Sequence, residues 1–193
     1  MADAARHLIR RGRIGREDCG KPWLSDWRQR GPRVERINRI LNHDLFLHHL
    51  RQNEAAEAER RFGHHDLTHF LDVARIGEII NLESGLGIDR EWVYAAALLH
   101  DMGRHIQYED GTPHELASAE IAVQILRECG FADSEADVII DAIKSHRDAS
   151  VAGEDTLRGV LYRADKACRL CFACDVEQEC HRSEDKKNRK LRY

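Results

Sequence analysis

The chain has little of what sheets, membrane spans and exported proteins are built from. Its 193 residues include only three prolines (Pro22, Pro32 and Pro113), three threonines and 6% aromatics. Positions 33–112 and 114–193 contain no proline, so long helices meet no built-in breaker there. No stretch alternates apolar and polar residues for long enough to make a convincing strand. No apolar run approaches the ~20 residues that cross a bilayer. The Arg-rich start, MADAARHLIRRGRIG, lacks the apolar segment of roughly 7–15 residues that a secretory signal needs. No internal repeat of fixed period is visible, which excludes a solenoid. These absences argue against a β-rich fold and a membrane protein, and predict a soluble, cytoplasmic one.

What is present are the strong helix formers Ala, Leu, Arg and Glu. The hydrophobic fraction is 42%, enough for one core, and the length suits one domain. The expectation is an all-α helical bundle. It would have a basic N-terminal extension (1–33), a main domain (34–170) and a Cys-rich knuckle with a basic tail (171–193). Trp23, Leu24 and Trp27 are expected to anchor the extension by burying apolar area. The net charge of −4 hides an uneven distribution, with +5 over 1–33, −13 over 34–181 and +4 over 182–193. An acidic centre is a poor surface for nucleic acid, although the basic ends could meet an anionic partner. A homo-oligomer is left open.

Helices are expected over Val34–Leu41, Asp44–Arg60, Asp66–Leu82, Asp89–Met102, Thr112 to about Gly130, Ser134–Arg147 and Asp155–Phe172. Asp66 and Asp89 are the expected N-caps of theirs. Thr112-Pro113-His114-Glu115 reads as a capping box with Pro at the first helical position.

Helical periodicity turns several of the twelve histidines towards the core. His69 shares a stripe with Val73, Ile76 and Ile80. His114 shares one with Ala117, Ile121 and Ile125, and His146 with Ile139 and Ile143. Asp165 shares one with Leu161 and Cys168. His100 and Asp101 end the apolar run Ala95-Ala96-Ala97-Leu98-Leu99. A buried imidazole or carboxylate is costly unless paired or metal-bound. Four His and two Asp directed inward from five helices are satisfied together by a shared metal site. Mixed imidazole and carboxylate ligands suit Fe, Mn, Zn or Ni better than Ca or Mg.

The ordered set HFLDVARI (69–76), AALLHDMG (96–103), HELASAEIA (114–122), IKSH (143–146) and YRADK (162–166) resembles the HD-domain superfamily of metal-dependent phosphohydrolases. The resemblance covers roughly 60–170. It implies one metal on His69, His100, Asp101 and Asp165, with His100 and Asp101 at the heart of catalysis. The six-ligand version adds His114 and His146 at a second ion, with Asp101 bridging. Metal-activated water would then attack a small-molecule phosphate ester or anhydride, often a nucleotide. Arg104, Lys144, Arg147 and Lys166 flank the ligands and are candidates to meet the phosphate. His65 is a candidate for the site entrance. The same ligand set also resembles HD-type di-iron oxygenases, and a metal-binding sensing module is a third reading.

The tail carries Cys168, Cys171, Cys174, Cys180 and His181. Clustered thiols in a chain without an export signal read as a metal or redox site. Four of these side chains would suit zinc or an iron–sulfur cluster. Cys168 could instead face the core below Asp165. Cys129 is expected to be a small core residue.

Overall fold

The computed structural model of the protein describes residues 34–193. The expectations for 1–33, including the anchoring by Trp23, Leu24 and Trp27, lie outside them. The described residues form eight α-helices and no strand. These are α1 (Glu35–Leu41), α2 (Asp44–Ala56), α3 (Leu67–Glu83), α4 (Arg90–Leu99), α5 (Arg104–Asp110), α6 (His114–Glu128), α7 (Asp133–Ser145) and α8 (Leu157–Ala167). Among the described residues, no helix is long and apolar enough to cross a membrane.

The apolar run of α4 makes it the central helix. Ala95 to Leu99 are all fully buried, and α3, α7 and α8 pack around them. Phe46, Phe70, Met102, Ile125 and Ile139 fill the same core without exposure. Glu135 ties α1, α4 and α7 together. It accepts from Arg36 at 2.7 Å, from the Trp92 indole at 2.9 Å and from the Ala132 backbone at 2.8 Å.

The N-caps of α3 and α4 are as the sequence suggests. Asp66 accepts from the His69 backbone N–H at 2.9 Å, and Asp89 from that of Glu91 at 2.7 Å. His43 caps α2 by accepting from Leu45.

Four expectations need correction. The helix expected to run to Arg60 stops at Ala56. The one expected to reach Phe172 stops at Ala167. Helix α5 forms in a stretch where none was expected; its sequence RHIQYED has Ile106 as its one aliphatic residue and shows no apolar stripe. The box at Thr112 does not form, because Pro113 (φ −54°, ψ 122°) is itself the non-helical cap. The Thr112 backbone N–H donates instead to Asp110, and Gly111 turns the chain with φ +85°.

Beyond α8 the chain makes short 3-10 turns and folds back. Asn188 donates its side-chain amide to the carbonyls of Lys166 (2.8 Å), Ala167 (3.1 Å) and Arg169 (3.0 Å). It thereby satisfies carbonyls that the end of α8 leaves orphaned. Arg61 pairs with Glu179 at 2.6 and 3.0 Å, joining the loop before α3 to the tail.

Candidate metal centre

Six inward-facing side chains meet because helix ends meet. His69 sits in the first turn of α3, positioned by the Asp66 cap on its own backbone N–H. His100 is the residue that ends α4, and its Nδ1–H donates to Ala97 O at 2.7 Å. His146 ends α7 in the same way, donating Nδ1–H to Ile143 O at 2.6 Å. In both, the histidine places Nδ1 on a carbonyl in the last turn of its own helix and is held rigid by doing so. His114 opens α6 and donates Nδ1–H to the Gln107 side chain at 2.6 Å, the shortest contact of that nitrogen, which Arg104 Nη1 also approaches to 2.9 Å. Asp165 lies in the last turn of α8. These tautomers are assigned from the partner each Nδ1 faces.

With each of these three Nδ1 atoms on an acceptor, the Nε2 lone pairs point inward. The groups converge as two nests, His69–His100–Asp101–Asp165 and Asp101–His114–His146, with ligand atoms inside each within 4.8 Å of one another. Asp101 belongs to both. Its Oδ2 faces His100 Nε2 at 3.2 Å and His69 Nε2 at 3.8 Å. Its Oδ1 faces His114 Nε2 at 3.0 Å and His146 Nε2 at 3.5 Å. All six side chains are buried.

The donor set fits divalent cations on a specific observation. His69 Nε2, His100 Nε2 and Asp101 Oδ1 are buried polar atoms without a hydrogen-bond partner. Native interiors rarely leave such atoms unmatched, and a cation would satisfy all three. Burial disfavours the imidazolium of His100, yet the carboxylates of Asp101 and Asp165 outweigh it and raise its pKa to about 10. Burial also disfavours the Asp101 carboxylate, but the surrounding imidazoles hold its pKa well below the usual range. The nest is thus strongly attractive to positive charge.

The centre opens into a cavity of about 780 Å3 lined by Arg104, Arg147, Lys166, Arg169, Arg182 and the cysteine loop, among others. Of the four flanking cations expected to meet a phosphate, Arg104, Arg147 and Lys166 line it. Lys144 does not; it is exposed on α7, outside the lining. Arg147 faces Glu115 at 3.3 Å, and Lys166 pairs with Asp165.

The cysteines separate. Cys168 is buried behind the main centre, with Sγ 3.4 Å from His69 Nδ1 and 3.1 Å from Asp165 O. Its thiol donates to that carbonyl, and burial pushes its pKa up to about 12. Cys171, Cys174 and Cys180 line the cavity. Among the described residues, Cys168, Cys171, Cys174, Cys180 and His181 make no cluster of three or more convergent ligand atoms. Cys129 is buried, as expected.

The sequence did not reveal Glu57. It lies 2% exposed at the end of α2. It accepts from His65 Nδ1 at 2.6 Å, from the His65 backbone N–H at 2.7 Å and from the Tyr108 hydroxyl at 2.6 Å. Burial would raise its pKa, but these donors hold it at about 2. Burial lowers the His65 pKa to about 4 despite the Glu57 bond. His65 is therefore a buried part of the wall rather than an entrance residue. The only hint in the sequence was the histidine pair ahead of the α3 cap.

A family comparison matches residues 66–170 to the HD domain. Over 160 residues the chain is 42% identical to an "uncharacterized protein" of Clostridium beijerinckii, covering 83% of this chain and all of that one. The chain belongs to the HD domain family. The chain is also 34% identical over 87 residues to ribonuclease Y of Mycoplasma mycoides, covering 45% of this chain and 18% of the ribonuclease. It therefore spans less than a fifth of that relative's length. A crystal structure described as a predicted HD superfamily hydrolase, from an uncultured Thermotogales bacterium, shares the fold. Its TM-score is 0.54 at 24% identity, over 73% of this chain and 80% of that one.

Proposed function

We propose that this HD domain is a metal-dependent phosphohydrolase acting on a nucleotide or another phosphate ester or anhydride. The observation that carries the reading is Asp101, one carboxylate whose two oxygens face two separate histidine pairs. That arrangement suits two ions sharing a ligand. His69, His100, Asp101 and Asp165 would hold one, and Asp101, His114 and His146 the other. Two such ions, when bound, would polarise a phosphoryl oxygen and lower the pKa of bound water towards neutrality.

The chain's own residues do the rest. The Nδ1 bonds to Ala97, Ile143 and Gln107 fix three imidazoles before any ligand arrives, so little reorganisation is needed. The buried walls keep bulk water from the ligand atoms, which strengthens every charge interaction inside. Arg104 and Lys166 supply positive charge beside Asp101 and Asp165, where a phosphate's negative charge would grow.

The test is phosphate release by anaerobically purified protein with Fe(II), Mn(II), Ni(II) or Zn(II). The panel holds mononucleotides, dinucleoside polyphosphates, guanosine tetraphosphate, simple phosphomonoesters and, because of the ribonuclease resemblance, a short RNA scored for cleavage. Metal-dependent turnover that Asp101→Ala abolishes is the expected result. No turnover across the panel refutes the reading and directs attention to oxygen chemistry at the same ligands.

A further inference from the structure

Two guanidiniums reach the same buried imidazole from different parts of the chain. Arg104 Nη2, on α5, lies 3.0 Å from His65 Nε2. Arg169 Nη2, just beyond α8, lies 3.1 Å from the same atom. Glu57 takes the hydrogen on His65 Nδ1, so Nε2 offers a single in-plane lone pair. One lone pair serves one N–H donor well, and two guanidiniums bring ten.

No carboxylate neutralises the pair. Among the described residues, Arg169 makes no ion pair, and Arg104 comes no nearer to a carboxylate than 3.9 Å, at the metal ligand Asp101. The other acids of the cavity are engaged, Asp66 as the α3 cap and Asp72 with Arg75. The carboxylate that this nitrogen itself faces, Asp101 Oδ2 at 3.5 Å, is the shared ligand of the two nests, and two like charges against one imidazole nitrogen repel unless a further anion lies between them.

The chain is also shaped to admit Arg169. Gly63 has φ +57°, and a Cβ there would sit 2.4 Å from Arg169 Nη1. Asn188 holds the Arg169 carbonyl at 3.0 Å, so the folded-back tail sets where this arginine stands.

We infer that Arg104 and Arg169 form a two-arginine clamp, parked on His65, that grips the non-bridging oxygens of a phosphoryl group presented to the metal centre. This rests on the phosphohydrolase reading and adds Arg169 as a substrate-binding residue. Guanidinium forks match phosphate oxygens in pairs, and an ammonium does not. The clamp assembles only when the tail is docked, which gives the tail a part in binding.

The test is calorimetric titration of inorganic phosphate into the full chain, loaded with Mn(II) and freed of excess metal, with metal content measured in each sample. Arg169→Gln is expected to weaken phosphate binding roughly 10- to 100-fold, the range for a lost charge-assisted hydrogen bond. Arg169→Lys is expected to weaken it less, and Arg158→Gln, whose residue pairs with Asp141 and Glu154, not at all. Metal content should match wild type. If Arg169→Gln loses metal, the Lys variant decides. Wild-type affinity in a metal-replete Arg169 variant overturns the clamp, as does a wild-type protein that fails to bind phosphate. Arg169-dependent phosphate binding without hydrolysis of any ester leaves the clamp standing and removes the phosphohydrolase reading. Hydrolysis with Arg169-independent binding does the reverse.

Discussion

Adding one methyl group at Gly103 should release the second metal nest before the first. Gly103 follows the His100-Asp101 pair and lies under the start of α6. A Cβ there would stand 2.6 Å from Ala117 Cβ, 2.7 Å from the Ser118 backbone nitrogen and 2.9 Å from the Ala117 carbonyl carbon. Two of these three atoms are backbone, so no rotamer change relieves the clash. The Gly103 N–H also donates to Ser118 Oγ at 2.9 Å, a bond that sliding α6 would break. Overpacking of this kind costs about 1–3 kcal/mol. The backbone (φ −87°, ψ 14°) tolerates alanine, which returns ~0.4–1 kcal/mol through the unfolded chain. The net expectation for Gly103→Ala is a loss of about 1–2 kcal/mol, or roughly 2–8 °C in Tm. Gly77→Ala is the control. Its nearest neighbour is Val93 Cγ1 at 2.9 Å, a side-chain methyl on the adjoining helix. The ~1 kcal/mol gain in helix propensity there offsets a clash that a side chain can absorb, so stability should be nearly unchanged. Because α6 carries His114 and none of the other ligands, bound metal should fall from two ions towards one in Gly103→Ala and stay at two in Gly77→Ala. Thermal melting with metal analysis reads both. Wild-type stability and two ions in Gly103→Ala would refute the argument that backbone contact fixes α6.

Asn188→Ala should remove the amide that serves three carbonyls after α8. The expected loss is about 1–2 kcal/mol, with faster hydrogen exchange confined to the tail; an unchanged melt would show that water replaces the amide. Acid should weaken the fold through Glu57 and Glu135, both held at about 2. Their depressed folded pKa means that the stabilisation is complete above the unfolded value near 4.5 and fades as pH falls from there towards 2. Urea unfolding at pH 6, 4.5 and 3 checks this. Glu135→Gln, which keeps the shape but not the charge paired with Arg36, should flatten the decline, and an equally steep decline in that variant would count against it.

The helical bundle and its six inward histidine and aspartate side chains were legible because burial and periodicity report the same thing. A side chain on the apolar face of a helix has to go where the core goes. His69, His114, His146 and Asp165 lay on such faces, and His100-Asp101 closed the most apolar run in the chain. What periodicity could not supply was the capping geometry at Pro113, where an aspartate and a left-handed glycine upstream decide the turn. Nor could it show α5, whose one aliphatic residue, Ile106, makes no stripe. Asp66 was legible as a cap from the residue type alone, and the structure adds that the N–H it holds belongs to a ligand.

The contacts around the ligands were hidden because they join residues far apart in the chain. Arg169 meets His65 across 104 positions and Asn188 meets Lys166 across 22; Glu57 meets Tyr108 across 51. Nothing in local spacing marks such pairs. The tail shows a local pattern placed by long-range contacts. Four cysteines within thirteen residues suggest a knuckle of their own. Yet Cys168 belongs with Asp165 and His69, and the next three thiols stand along the same cavity as the metal nests. The reason is the stop of α8 at Ala167. It leaves Cys168 on the buried face, one turn below Asp165, and the chain from Arg169 onward then lines the cavity. Asn188 and the Arg61–Glu179 pair then hold it there. A segment whose composition suggests an independent unit is thus built into the wall of the site, and its mutations should be read first at the cavity.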